Sequence, residues 1–258
     1  MKKLTTTYLF LSVLLCSCSH YYYVPNVQNV PLFREKNEYR LSGTFGGGDE
    51  SACIEVQAAY SVTDNIGIMT NFMSAKGGDV SDNKNWAKGN YLDGAIGYYK
   101  PINKYGVFEI YGGFGGSNQH HHYMNTNYNS GTISNSSGGT SDLSFTKIFV
   151  QPSFGLTFKG FDVALSNRIC ILSFNKINNQ ISGNSEEHNT LNSISNKSHL
   201  FLEPAITIRG GWEYVKLQFQ AATASYFNNP DLHFEDYHIG IGLYFAFAER
   251  YRKDVPKK

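Results

Sequence analysis

From Glu38 onward the chain alternates apolar and polar residues with a period of two, the pattern of β-strands that bury one face. Ile54, Val56, Ala58, Tyr60 and Val62 share one parity, with Glu55, Gln57, Ala59 and Ser61 on the other. The last such run is the cleanest. Ile239, Ile241, Leu243, Phe245 and Phe247 oppose Gly240, Gly242, Tyr244 and Ala246. The alternation predicts strands over 38–46, 52–62, 65–75, 90–101, 105–116, 143–158, 161–175, 198–209, 213–223 and 236–248. Pro152 and Pro204 fall inside two of these segments, where a missing backbone donor requires a bulge or a lapse in pairing.

The connections carry the architecture. Thr63-Asp64-Asn65, Asn103-Lys104, Lys159-Gly160 and Gly210-Gly211 are tight-turn sequences. Between them lie long polar stretches at 76–89, 117–142, 176–197 and 224–235, rich in Asn, Ser, Gly and His. Short and long connections in alternation are the asymmetry of an outer-membrane barrel, with tight periplasmic turns and long external loops. The fold expected is all-β: a closed antiparallel up-and-down transmembrane β-barrel of about ten strands, with eight as the alternative count.

Charged and amide side chains gather on one parity: Glu38, Arg40, Glu55, Gln57, Asp93, Glu109, Lys147, Asp162, Arg168, Glu203, Lys216 and Gln218. Gly97, Gly113, Gly155, Gly240 and Gly242 share it. A narrow lumen has to mix small residues with long ones, whereas glycine on a merely solvated face weakens strands without return. The polar parity is therefore assigned to the lumen and the apolar parity to lipid. Tyr60, Tyr98, Tyr105, Phe158, Phe161, Trp212 and Tyr214 near the tight turns suit an interfacial girdle.

Composition and the N-terminus set the compartment. Lys and Arg number 22 against 21 Asp and Glu, so no global basic field points to nucleic acid. Met1-Lys2-Lys3 begins a segment that is mostly apolar from Leu4 to Leu15 and ends in Cys16-Ser17-Cys18, which predicts a signal peptide over 1–17. Leu15, Cys16, Ser17 and Cys18 resemble the bacterial lipoprotein box, which implies cleavage before Cys18 and acylation, such as palmitate, on that residue. The domain reading is a signal peptide at 1–17, a lipid-anchored linker at 18–37, a barrel at 38–248 and a periplasmic C-terminal tail at 249–258.

Gly242-Leu243-Tyr244-Phe245-Ala246-Phe247 resembles the C-terminal signal by which outer-membrane barrels are recognised for insertion. Here Ala248 to Lys258 follow it, whereas that signal commonly ends the chain. Lipoprotein box, linker and barrel together resemble the small lipid-modified outer-membrane β-barrel proteins common in Bacteroidota. That resemblance implies the cell outer membrane as location, with outer-membrane lipid and the insertion machinery as partners, and subunits of a larger complex as further candidates. Surface-exported lipoproteins of that group often carry acidic residues after the cysteine, and Ser19-His20-Tyr21-Tyr22 has none. The resemblance thus implies an anchor in the periplasmic leaflet.

Chemistry is sparse. No Gly-x-Ser-x-Gly elbow or His-Glu-x-x-His helix occurs. Asp231-Leu232-His233 is the nearest match to the rim Asp–His pair of an omptin-like hydrolase, but Asp79 and Asp82 have the wrong spacing for the companion aspartates. His120-His121-His122 offers imidazoles in the longest polar stretch, although adjacent histidines rarely converge on one ion without further ligands. No catalytic, cofactor-binding or metal residue is assigned, no cofactor is expected, and Cys18 is the one site residue, for lipidation. Cys53 and Cys170 are expected as free thiols facing the lumen from opposite walls, too far apart for a disulfide. The function expected is that of a non-enzymatic barrel acting as a structural element or accessory subunit. The alternatives are a rim hydrolase and a narrow channel or ligand-binding barrel.

Overall fold

In the computed structural model, residues 21–78, 85–129, 132–181, 186–195, 197–227 and 232–252 are described. The signal peptide, Cys18, Asp79, Asp82, Asp231 and the end of the tail lie outside them. The strands are β1 (Tyr39–Gly47), β2 (Ser51–Ser61), β3 (Ile66–Gly78), β4 (Trp86–Ile102), β5 (Gly106–Asn129), β6 (Thr132–Thr157), β7 (Phe161–Asn179), β8 (Ser198–Gly211), β9 (Val215–Thr223), a two-residue β10 (Ser225–Tyr226) and β11 (Tyr237–Phe247). Each long strand pairs antiparallel with its neighbours, β8 pairs with β9, and β11 joins β9 to β1. The result is a closed ten-stranded barrel, to which β10 adds a short pairing on β8.

The parity assignment holds in full. All twelve charged and amide residues of the polar parity are buried, from Glu38 at 0% to Asp162 at 4% exposure. On the outside, Phe45 and Phe114 are 71% exposed, with Leu92, Ile96, Ile148, Leu165 and Leu217 nearly as open. A polar interior behind an apolar exterior is what hydrocarbon solvent selects, because the outward side chains meet lipid while closure removes the sheet edges. Aromatics ring the tight-turn end. Tyr39 stacks on Tyr60 at 4.5 Å, Tyr105 meets Phe158 at 4.7 Å, and Trp212 is 80% exposed.

Each proline lies at a break in strand pairing. The β6–β7 ladder runs to Val150↔Ile169 and resumes at Ser153↔Ser166, lapsing beside Pro152, while Pro204 faces Asn167 from β8. Pro204 falls where β8 passes from β9, paired up to Ala205, to β10, paired at Leu202, so neither proline interrupts a ladder that needs its donor.

Two polar stretches are not loops. Expected as a loop over 117–142, the longest one continues β5 and β6 as a paired hairpin to Asn129↔Thr132. Its flanking partners stop earlier, β4 at His122 and β7 at Ser141, so the outer part is a two-stranded ribbon. Within 176–197 lies a helix, α1 (Glu186–Ile194), with Thr190, Leu191 and Ile194 buried. Those positions fall on one helical face, and Glu186 and Glu187 suit the positive end of the helix dipole.

The largest departure concerns 18–37. Its described part, expected as a linker outside the barrel, runs through the lumen. Residues 25–33 are all buried, as are Tyr22 and Tyr23. Tyr22 N donates to His233 O at the long-loop end, whereas Arg34 bonds the carbonyls of Asn103 and Gly106 at a tight turn. The chain therefore enters at the long-loop mouth and descends before β1 begins. An extended stretch of this length reaches about 40 Å, enough to cross a hydrocarbon core of about 30 Å. The resemblance implies an anchor in the periplasmic leaflet because no acidic residue follows Cys18, whereas the described path leads towards the long-loop mouth.

Candidate functional site

Among the described residues, the threaded segment and the wall around it form the most extensive polar site. A chain in extended form inside a barrel has no strand partner, so each of its amides and carbonyls needs another group. The wall supplies long side chains. Gln57 donates to Val27 O at 2.8 Å, and Gln220 both accepts from Gln28 N at 2.6 Å and donates to Gln28 O at 2.8 Å. Gln151 donates to Asn29 O at 2.7 Å, Arg209 to Val30 O at 2.8 Å, and Arg40 to Pro31 O at 3.1 Å. Glu109 accepts from Phe33 N at 3.1 Å. Several lumen side chains that alternation assigned inward, Arg40, Gln57 and Glu109 among them, are thus the segment's hydrogen-bond partners.

Proline and shape help the chain fit. Pro25 and Pro31 need no donor partner, and Leu32 turns at φ 54, a left-handed conformation that is costly for a leucine. The turn puts Leu32 with Val30, Val107 and Ala164 in a small apolar cluster against the wall. The segment passes close to the wall at glycines, since a Cβ on Gly155 would meet Leu32 Cδ2 at 2.6 Å and one on Gly240 would meet Val27 Cγ2 at 2.7 Å.

At mid-height a charged cluster binds the segment to three strands. Glu203 of β8 pairs with Lys147 of β6 at 3.3 Å and Arg168 of β7 at 3.6 Å, and accepts from Tyr23 Oη. Arg168 also donates to Asn26 Oδ1 at 2.6 Å and to Gln151 at 3.1 Å. With two cations around one carboxylate, every charge in the cluster has a partner, as burial demands.

The long-loop mouth is closed over Tyr22. Its hydroxyl donates to Glu187 of α1, Tyr23 forms a parallel bridge with Phe234, and Leu191 and Ile194 join the same apolar cluster. At the opposite end Glu38 pairs with Arg40 and Arg250, tying the start of the barrel to the short helix Glu249–Arg252 of the tail.

Among the described residues, the histidines of the other candidate motifs take different partners. His120, His121 and His122 lie on β5 and alternate across the wall. His120 pairs with Asp142 at 2.6 Å, His121 points inward beside Tyr22 with ring centroids 5.2 Å apart, and His122 stacks on Trp86. His233 stands 3.9 Å from Glu187, and its Asp231 neighbour lies outside the described residues. Cys53 and Cys170 are buried free thiols. Sequence reasoning missed a further group on the wall: Cys53, Glu55 and His238, whose side-chain donor atoms lie within 4.8 Å of one another. Cys53-x-Glu55 on one strand face was a visible signal, but His238 comes from far along the chain.

No protein-family model matches the chain. No curated protein matches it either. Among solved structures, the translocator domain of the autotransporter NalP from Neisseria meningitidis aligns at 10% identity and a TM-score of 0.49, over 82% of this chain and 89% of that one. OmpT, an outer membrane protein of Vibrio cholerae, aligns at 7% identity and a TM-score of 0.23, over 82% and 97%. CdiB from Acinetobacter baumannii aligns at 9% identity and a TM-score of 0.28, over 83% and 60%.

Proposed function

We propose that the protein is a sealed, non-enzymatic outer-membrane lipoprotein whose barrel carries its own N-terminal segment to the cell surface and acts there by contact, as an accessory subunit of an outer-membrane assembly. The path of residues 22–33 carries this reading: they fill the lumen from the long-loop mouth to the tight turns. Wall side chains bonded to the segment from Val27 to Phe33 hold it inside the lumen, which argues against an open channel.

The lipid follows the same path. Cys18 precedes Tyr21 by three residues, a reach of about 10 Å, so its acyl chains enter the external leaflet near the long loops. Lipid on that side and a barrel beside it hold the N-terminus at the surface. For contact with a partner, the ribbon of β5 and β6 offers two edges without strand partners beyond His122 and Ser141, the feature that β-augmentation uses.

The test is a short epitope inserted between His20 and Tyr21, with antibody added to intact cells. Labelling of intact cells is the expected result. An epitope reached only after the outer membrane is permeabilised would overturn the proposed topology. Replacement of Cys18 by Ala, which should abolish acyl-chain labelling, tests the lipid separately.

A further inference from the structure

Cys53 and Glu55 lie on β2 and His238 on β11, with β1 between them. Side chains two strands apart meet across an intervening strand where that strand offers little bulk. Gly46 is the residue paired with both Cys53 and Gly240, and a Cβ on it would stand 2.7 Å from His238 Nε2. Glycine at this position is therefore the opening through which the three side chains converge. All three are buried, at 5%, 1% and 1% exposure.

We infer that Cys53, Glu55 and His238 form a binding site for a divalent transition-metal ion of the zinc class. Cys53 Sγ is 3.4 Å from Glu55 Oε1 and 3.8 Å from His238 Nε2, and Nε2 is 2.9 Å from Oε1. Around a tetrahedral zinc, with bonds of about 2.3 Å to sulfur and 2.0–2.1 Å to nitrogen and oxygen, the edges to sulfur measure about 3.5 Å and the remaining edge about 3.3 Å. The triangle is already close to that size: the His–Glu contact has to open, and the Cys–His contact to close, by a few tenths of an ångström.

The donor set selects the ion. One thiolate, one imidazole and one carboxylate do not make the all-oxygen shell that calcium or magnesium takes, and they match zinc. Charge balance points the same way. Thiolate and carboxylate together offset a divalent cation, so the filled site is neutral, as a buried site requires. Glu55 is oriented for the task, because Val27 N donates to its Oε2 at 2.9 Å and leaves Oε1 to face the other donors. That amide belongs to the threaded segment, so the ion would fasten the segment to the wall through Glu55.

Three protein ligands leave a fourth position, which water or an incoming donor fills. The site lies just inside the long-loop mouth. Above it Glu235 caps the turn after β1, accepting from Glu50 N at 3.1 Å and Ser51 N at 3.2 Å. This inference does not rest on the lipid or on the topology proposed above.

The experiment uses the full mature protein purified in detergent, stripped with chelator and then given zinc or cobalt alone. One ion per barrel and a thiolate-to-cobalt charge-transfer absorption are expected. X-ray absorption of the zinc-loaded wild type should show a single sulfur at about 2.3 Å with lighter donors at about 2.0 Å. Cys53→Ser should abolish the cobalt band, His238→Gln should weaken affinity at least tenfold, and Cys170→Ser should leave both unchanged. A zinc shell without sulfur, no ion retained by the wild type, or loss of the cobalt band in Cys170→Ser would each overturn the assignment. The absorption measurement needs no variant, so it decides the matter even if a substitution prevents folding.

Discussion

Tyr244 donates its hydroxyl to the carbonyl of Pro31 at 2.9 Å, joining the last strand of the barrel to a segment that precedes the first. Its neighbour Leu243 points the other way and is 48% exposed, while Tyr244 is 3% exposed and lies under Arg209, whose guanidinium is 3.8 Å from the ring centroid. One step along β11 thus separates lipid from lumen. Leu243→Arg should cost about 2–4 kcal/mol if it sits near the bilayer midplane, through the charge forced into hydrocarbon. Tyr244→Phe should cost about 0.5–1.5 kcal/mol, the net worth of one hydrogen bond. Denaturant unfolding of the refolded protein in lipid vesicles checks both, and equal costs would contradict the assigned faces.

The cluster around Glu203 should respond to removal of that carboxylate. Glu203→Gln leaves Lys147 and Arg168 buried beside each other with no counter-charge from β8, and should destabilise the barrel by about 3–5 kcal/mol. Adding Lys147→Met should restore part of that loss, because one uncompensated charge goes with it. A double variant no better than the single would mean that the loss comes from broken packing. The same unfolding assay reads both proteins.

Much of this architecture was written in local alternation, and the failures share one cause. Glu55 and Gln57, or Lys216 and Gln218, announce their face because a strand repeats every two residues regardless of what lies opposite. The segment at 21–37 has no period because its partners are not a neighbouring strand. Val27 alone bonds side chains of Glu55 and Gln57, Gln28 bonds Gln220, and Asn29 bonds Gln151, contacts that no window along the sequence contains. The ribbon beyond His122 was hidden by its Asn, Ser and Gly content, which reads as loop although the backbone pairs to Asn129. His238 could not be joined to Cys53 from sequence, because their meeting depends on closure between β11 and β1.

The two thiols bear on strand order. Both were expected free and facing the lumen from opposite walls, and the structure has Cys53 beside Glu55 and Cys170 beside Glu203 at 3.4 Å. Thiol labelling of unreduced protein, unfolded in the presence of chelator, should report two reactive cysteines. A bonded pair would require a different wall order, since a disulfide needs Cα atoms within about 7 Å.

The barrel should not conduct. The lumen of ten strands is narrow, and its wide polar residues Arg40, Arg168 and Arg209 are committed to Pro31, Asn26 and Val30 of the threaded segment. Full-length protein in a planar bilayer should therefore pass no steady current. Deleting residues 22–33 should strip those partners away and leave the same charges to be hydrated, because a buried ion without protein partners draws in water. That variant should open ion-conducting events, provided it still shows the heat-modifiable mobility of a folded barrel. Steady current through the full-length protein, with none gained on deletion, would mean that residues 22–33 do not occupy the lumen in the membrane.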